Sequence, residues 1–236
     1  MWATTRLLVH VEGDTEETFV NRLLASHLHT YGFAKVSARK MGNARQRGGI
    51  RPWNTVKDGI CKHLTHDAQC FATLLVDYYA MPATGSKAWP GRDQANQLAH
   101  ANKAQTIERS LQQDIAQTHG PNVAQRFIPY VVMHEFEALL FSDCGALANA
   151  LGETALTAAF AQIRNRAATP EHINDSPQTA PSKRIIHLVP QYQHQKPRLG
   201  TWAALEVGLP AMRRECPGFA DWLHRLEQLP LLNPPP

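Results

Sequence analysis

The chain is predicted to be an α/β protein, with a mainly parallel sheet covered by helices on both faces and a helical C-terminal appendage. Short apolar runs alternate with helical patterns over residues 1–150, the order of β-α-β units whose strands are buried on both faces. Residues 151–236 are dominated by Ala- and Leu-rich helical stretches, which suit an extension packed on that core. Apolar residues make up 43% of the 236 positions and charged residues 19%, enough for a core without a solvating charged coat.

The first strand is Leu7-Leu8-Val9-His10-Val11, which stops at Glu12-Gly13. Asp14 or Thr15 then caps a helix whose Val20, Leu23, Leu24 and Leu28 share one face. A second strand is expected near Lys35–Lys40, before a Gly-rich basic loop from Met41 to Pro52. A helix from about Asn54 to His66 leads to the apolar strand Phe71–Val76, which ends at Asp77. Prolines and glycines make Tyr78–Arg92 a long loop. Ile107, Leu111 and Ile115 mark a helix from about Asn102 to Thr118, closed by Gly120-Pro121. Arg126–Met133 is the third clear strand, followed by His134-Glu135-Phe136-Glu137 and a helical Ala138–Phe141. Beyond Gly152 the helical stretches are separated by a polar loop, Thr169–Pro181.

No apolar run approaches the roughly 20 residues that span a bilayer, and the first is too short for a signal-peptide core. Cys61, Cys70, Cys144 and Cys216 form no C-x-x-C pair, so zinc is not expected and the thiols are read as reduced, in a cytoplasmic protein. The net charge of +4 and 12 histidines suit a polyanionic partner without requiring one. The phosphate-binding loop, the dinucleotide glycine fingerprint, the nucleophile elbow and the H-E-x-x-H zinc motif are all missing.

What the sequence does offer is acid at the end of each clear strand: Glu12 after Val11, Asp77 after Val76, and Glu135 after Met133-His134. Open parallel sheets bind ligands at the carboxyl ends of their strands. Glu16, four residues after Glu12 and in the first turn of the following helix, can face the same crevice, although an acid there also suits the helix dipole. Gathered carboxylates repel one another, and Mg²⁺ is commonly held by a few of them with water and substrate phosphate. One or two such ions support phosphodiester cleavage. Glu12, Asp77 and Glu135 are therefore expected at one sheet edge, with Glu16 and Glu137 completing an acidic metal centre.

From Thr18 to Lys57 there is no acid, while Arg22, Lys35, Arg39, Lys40, Arg45, Arg47, Arg51 and Lys57 are basic. Such a stretch can bind phosphates irrespective of base sequence, with Trp53 placed to stack on a base, or it can be a solvated loop. Lys183-Arg184 stand at a helix start, where a cation opposes the dipole and a phosphate would give it a reason to be there.

Val11-Glu12-Gly13-Asp14-Thr15-Glu16, Asp77-Tyr78-Tyr79-Ala80-Met81-Pro82, His134 to Phe141, and Pro181-Ser182-Lys183-Arg184-Ile185 resemble the domain-of-unknown-function 4276 family over nearly the whole chain. The resemblance implies a TOPRIM-like fold, related to OLD-type nucleases, and a Mg²⁺- or Mn²⁺-dependent nuclease working beside an AAA- or ABC-type ATPase in bacterial antiviral defence. It matches Glu12 and Glu16 to the strand-1 acids and Asp77 to the first acid of the TOPRIM D-x-D pair. Tyr79 stands where the second acid belongs, unless Glu135 or Glu137 replaces it. On this reading Glu12, Glu16, Asp77, Glu135 and Glu137 bind metal and Lys183 or Arg184 neutralises the phosphate, with Arg45 and Arg47 also on the substrate. Tyr79 leaves open the alternative of a non-catalytic partner or sensor subunit of an ATPase complex.

Overall fold

The computed structural model describes residues 5–43, 46–47, 49–173 and 178–232. Strands β1 (Arg6–Val11), β2 (Lys35–Lys40), β5 (Cys70–Asp77) and β6 (Phe127–Val132) form a sheet of order β2-β1-β5-β6. β1 runs parallel to β2, with Leu7 opposite Val36, and parallel to β5, with Val11 opposite Leu75. Between β5 and β6, Ala72 N–H donates to Arg126 O and Tyr78 N–H to Val132 O, so the partners advance together and this pair is parallel as well. β5 and β6 are buried almost throughout, as strands covered on both faces must be. This is the predicted α/β architecture, consistent with a TOPRIM-like fold.

Two compact units divide the chain. The first takes the residues up to Val76, Ala80–Val131 and the segment from His224 onward. Helix α1 (Asp14–Phe19) runs through a π-helical turn, Val20–Leu24, into α2 (Ala25–His29), and Val20, Leu24 and Leu28 are fully buried. The expected basic loop contains a short antiparallel pair, β3 (Gly42–Asn43) with β4 (Gln46–Arg47). Gly49 then turns back with φ +67°, a conformation side chains disfavour, and its N–H donates to Glu12 O at 2.7 Å. Helices α3 (Trp53–His66), α4 (Arg92–Asn96), α5 (His100–His119) and α6 (Pro121–Ala124) complete this unit's central part. Ile107, Leu111 and Ile115 form the buried stripe of α5, as their spacing predicted.

The second unit comprises Asp77–Tyr79 and Val132–Leu223. Its hub is a 3₁₀ turn, Phe136–Ser142, with all seven residues buried. Packed on this hub are α7 (Cys144–Ala150), α8 (Thr157–Arg164), α9 (Pro181–Leu188) and α10 (Tyr192–Glu215). The chain from Val132 belongs with these helices because the hub is their shared core. The later part of α11 (Pro217–Leu232) belongs to the first unit, where Glu227 meets His27 at 2.7 Å and Arg225 reaches Glu108.

Candidate functional site

The predicted carboxylates fall in both units. Glu12 and Glu16 belong to the first. Glu12 follows the last residue of β1 and is half-buried. Glu16 is buried, and its Oε2 accepts the Gly13 N–H at 3.0 Å. This carboxylate thus caps the start of α1, satisfying a backbone donor that the helix leaves without an internal partner.

Asp77, Glu135 and Glu137 belong to the second unit, where each finds a donor from the protein. Asp77 closes β5, and its Oδ1 accepts the Phe136 N–H at 2.9 Å, which ties the strand end to the start of the hub. Glu135 Oε2 accepts the Ser182 N–H at 2.9 Å, so this carboxylate sits on the first turn of α9, where a negative charge suits the helix dipole. Glu137 is wholly buried inside the hub. Its Oε1 receives the Tyr192 hydroxyl at 3.1 Å and the Lys196 ammonium at 3.0 Å. Its Oε2 meets no hydrogen-bond donor among the described residues.

Lys196 was not foreseen. It stands just after a break in α10 at Gln195 (φ −125°, ψ 17°) and before Pro197, and 41% of its side chain remains exposed. Burial works against its charge. Glu137, Asp77 and Glu135 outweigh that penalty and hold the ammonium above the ordinary lysine range. Lys196 is paired directly with Glu137, and the charges of Asp77 and Glu135 favour its ammonium further. Two sequence signals mark it. Tyr192 and Lys196 are four apart, and a cation beginning a helical segment opposes the dipole, the argument already applied to Lys183-Arg184.

Among the described residues, no three His, Cys, Asp or Glu side chains are grouped to hold a metal ion. The second unit does not supply a closed cage.

The basic residues are placed variously. Lys183 and Arg184 line a cleft of about 750 Å³ along α8 and α9, with Arg166, His187, Gln162 and Thr179. Arg184 Nε donates to Thr179 O at 2.9 Å. Arg47 lies on β4, and Arg45 falls outside the described residues. Trp53 is no stacking platform: it is buried, donates from Nε1 to Asp114 at 2.7 Å and packs against Trp89 and Phe127. Lys57, buried beside it, pairs with the same Asp114 at 2.9 Å, and Lys40 pairs with Asp14 at 2.6 Å. The docking surface expected over Thr18–Lys57 is thus reduced, because its apolar and long side chains complete the core and bind local acids. Tyr79, in place of the second D-x-D acid, is half-buried with its ring 6.0 Å from that of His134.

The four cysteines are free thiols, and Cys61, Cys70 and Cys216 are buried. Burial pushes Cys216 up to about 12, which removes it as a nucleophile at neutral pH. No described helix is long and apolar enough to cross a membrane.

Neither the curated proteins nor the solved structures contain a match to this chain. A family model does match, over residues 11–227, and it spans both the strand-end Glu12 of the first unit and the hub of the second. The chain belongs to the family described as Domain of unknown function (DUF4276).

Proposed function

We propose that the chain is a metal-dependent phosphodiester hydrolase acting on nucleic acid, a TOPRIM-like nuclease that works beside an AAA- or ABC-type ATPase in bacterial antiviral defence. What supports this reading is that Asp77 and Glu135, both in the second unit, are each oriented by a backbone N–H, from Phe136 and Ser182 respectively. A divalent cation with water and substrate phosphate would use the carboxylate oxygens that these backbone bonds orient. Asp77 and Glu135 would hold Mg²⁺ or Mn²⁺, since Glu137 is already engaged by Tyr192 and Lys196. When bound, such an ion acidifies water and polarises a phosphoryl oxygen. The chain's own residues fix the geometry. The Phe136 N–H orients Asp77, the Ser182 N–H orients Glu135, and Lys183, Arg184 and Arg166 offer phosphate contacts in the cleft along α8 and α9. Glu12 remains a candidate ligand by its position after β1.

Plasmid, linear DNA and tRNA incubated with the protein and Mg²⁺ or Mn²⁺, with and without the partner ATPase, test the reading. Cleavage should require metal and fall at least about 100-fold in Asp77→Asn and Glu135→Gln, the scale of losing a transition-state interaction. Glu12→Gln, assayed alongside, should lose metal-dependent cleavage without loss of metal-free stability. Unaltered cleavage by Asp77→Asn would refute the centre. The second reading, a non-catalytic binding subunit, is favoured by the ammonium already held on Glu137 and by Tyr79. It predicts no cleavage under any of these conditions, with or without bound ion.

A further inference from the structure

The cleft of about 750 Å³ along α8 and α9 lies wholly within the second unit. Both helices pack on the hub, where the Phe160 ring meets that of Phe141 at 5.9 Å and Ile185 is fully buried. Their other faces line the cleft: Ala159, Gln162 and Ile163 from α8, and Lys183, Ile186 and His187 from α9. Each set is spaced three and four apart, the interval of neighbours on one helical face. Two kinds of surface meet there. Ala159, Ile163, Ile186 and Leu188 are only half-buried, so apolar area stays open to the cleft. Beside it stand Arg166, Lys183, Arg184 and His187, and no described acid lines the same space. Arg184 is steadied by its bond to Thr179 O, whereas the side chains of Arg166, Lys183 and His187 have no hydrogen-bond or ion-pair partner among the described residues. Other cations of this chain are taken up by local acids, including Arg164, which meets Glu215 at 3.1 Å. A cleft lined by one sign of charge concentrates ions of the other sign.

We propose that this cleft is a pocket for a single nucleotide, whose phosphate lies on Arg166, Lys183 and Arg184 and whose base lies against the apolar wall of Ile163 and Ile186. Forked guanidinium groups match phosphate oxygens, and the lysine adds a point charge. A phosphate alone leaves the apolar wall unused, and an apolar ligand leaves the cations unused, whereas a nucleotide engages both. The volume suits one small ligand, since such pockets span about 300–1,000 Å³. The inference deepens the nucleic-acid reading above by confining this contact to one nucleotide unit, either the phosphorylated end of a strand or a free mononucleotide, in place of a groove for continuous backbone. It requires no metal.

Calorimetric titration of the full chain in low-salt buffer with a chelator reads binding without metal and without cleavage. The probes are the four nucleoside 5′-monophosphates, their nucleosides and inorganic phosphate. At least one monophosphate should bind about tenfold or more tightly than its nucleoside and than phosphate, because only it uses both surfaces. Its affinity should fall as salt is added. A hexanucleotide carrying a 5′- or 3′-phosphate, compared with the unphosphorylated form, separates the two sources. An end phosphate that tightens binding about tenfold identifies a strand end, and binding of mononucleotides alone identifies a free nucleotide. Lys183→Gln combined with Arg166→Gln should weaken binding about tenfold or more. So should Ala159→Trp, which fills the space beside the apolar wall and leaves every cation in place. If Ala159→Trp does not fold, Ile186→Gln removes the wall without added bulk and carries the same expectation.

Monophosphates that bind no better than inorganic phosphate, or binding untouched by Ala159→Trp and Ile186→Gln, would overturn the pocket. A hexanucleotide that outbinds every mononucleotide whether or not its end is phosphorylated would point to a backbone groove, overturning the pocket and leaving the nucleic-acid reading intact. Nucleotide binding by a protein that cleaves nothing with either metal would sink the nuclease reading and uphold the pocket.

Discussion

Replacing Tyr192 by Phe removes a single hydroxyl and leaves the buried ring in place. That hydroxyl donates to Glu137 Oε1 at 3.1 Å, and both residues have no exposed surface, so solvent cannot replace the bond. A hydrogen bond to a charged acceptor contributes about 1.5–3 kcal/mol. Lys196 still reaches the same oxygen at 3.0 Å, which keeps the acceptor from being stranded and places the expected loss at about 1.5–2 kcal/mol. For a chain of this size that corresponds to a fall in Tm of about 3–8 °C. Urea unfolding followed by circular dichroism should show a lower midpoint with an unchanged slope, the mark of altered stability rather than altered compactness. A double-mutant cycle with Glu137→Gln isolates the pair and should give a coupling of about 1 kcal/mol or more. A loss below about 0.5 kcal/mol together with an additive cycle would show that Tyr192 does not hold Glu137, and the account of the buried pair would be withdrawn.

Glu16→Ala should cost about 0.5–2 kcal/mol in the same urea assay, because the Gly13 N–H loses its acceptor at the start of α1. Glu16→Gln keeps a side-chain oxygen and should lose less, and equal stability of all three proteins would dismiss the cap. Asp67 is held below the usual carboxylate range chiefly by its hydrogen bond from Arg6, so the pair stabilises the fold above the unfolded pKa of about 3.9 and loses that contribution as pH falls through the lower folded value. Both side chains are more than a third exposed, which keeps the effect under about 1 kcal/mol. The stability difference between wild type and Asp67→Asn should be flat from pH 7 to 5 and shrink below about pH 4; a difference that widens on acidification would contradict the assignment.

The strands were legible because their apolar runs are short and bounded. Leu7–Val11, Lys35–Lys40, Phe71–Val76 and Arg126–Met133 each fall within a residue or two of the observed β1, β2, β5 and β6. Helices α3 and α5 were equally plain, since Ile107, Leu111 and Ile115 recur at the helical interval and all face the core. Other features depended on tertiary partners that a linear pattern does not reveal. Trp53 and Lys57 look like a nucleic-acid surface until Asp114, 61 residues from Trp53, is found between them. Glu16 satisfies both a capping pattern and a metal-ligand pattern, and only the Gly13 N–H shows which bond it makes. Lys196 lies in a stretch rich in Gln, His and basic residues, and its partner Glu137 is on the hub. The hub's membership of the later unit is not legible in a linear pattern, because Phe136–Ser142 follows a strand directly while its packing partners all come later in the chain.

The hub explains why the two glutamates of His134-Glu135-Phe136-Glu137 behave so differently at a separation of two residues. Glu135 is still extended, at φ −141° and ψ 155°, before the 3₁₀ turn begins, and its carboxylate reaches the start of α9. Glu137 lies within the turn, where every neighbour from Phe136 to Ser142 is buried, and it has no route to solvent. A buried carboxylate requires compensation, which Tyr192 and Lys196 deliver from the first turns of α10. Asp77 then fastens the same turn to β5 through the Phe136 N–H. The three acids are thus each bonded to the protein, Glu135 through the Ser182 N–H, Glu137 through Tyr192 and Lys196, and Asp77 through the Phe136 N–H.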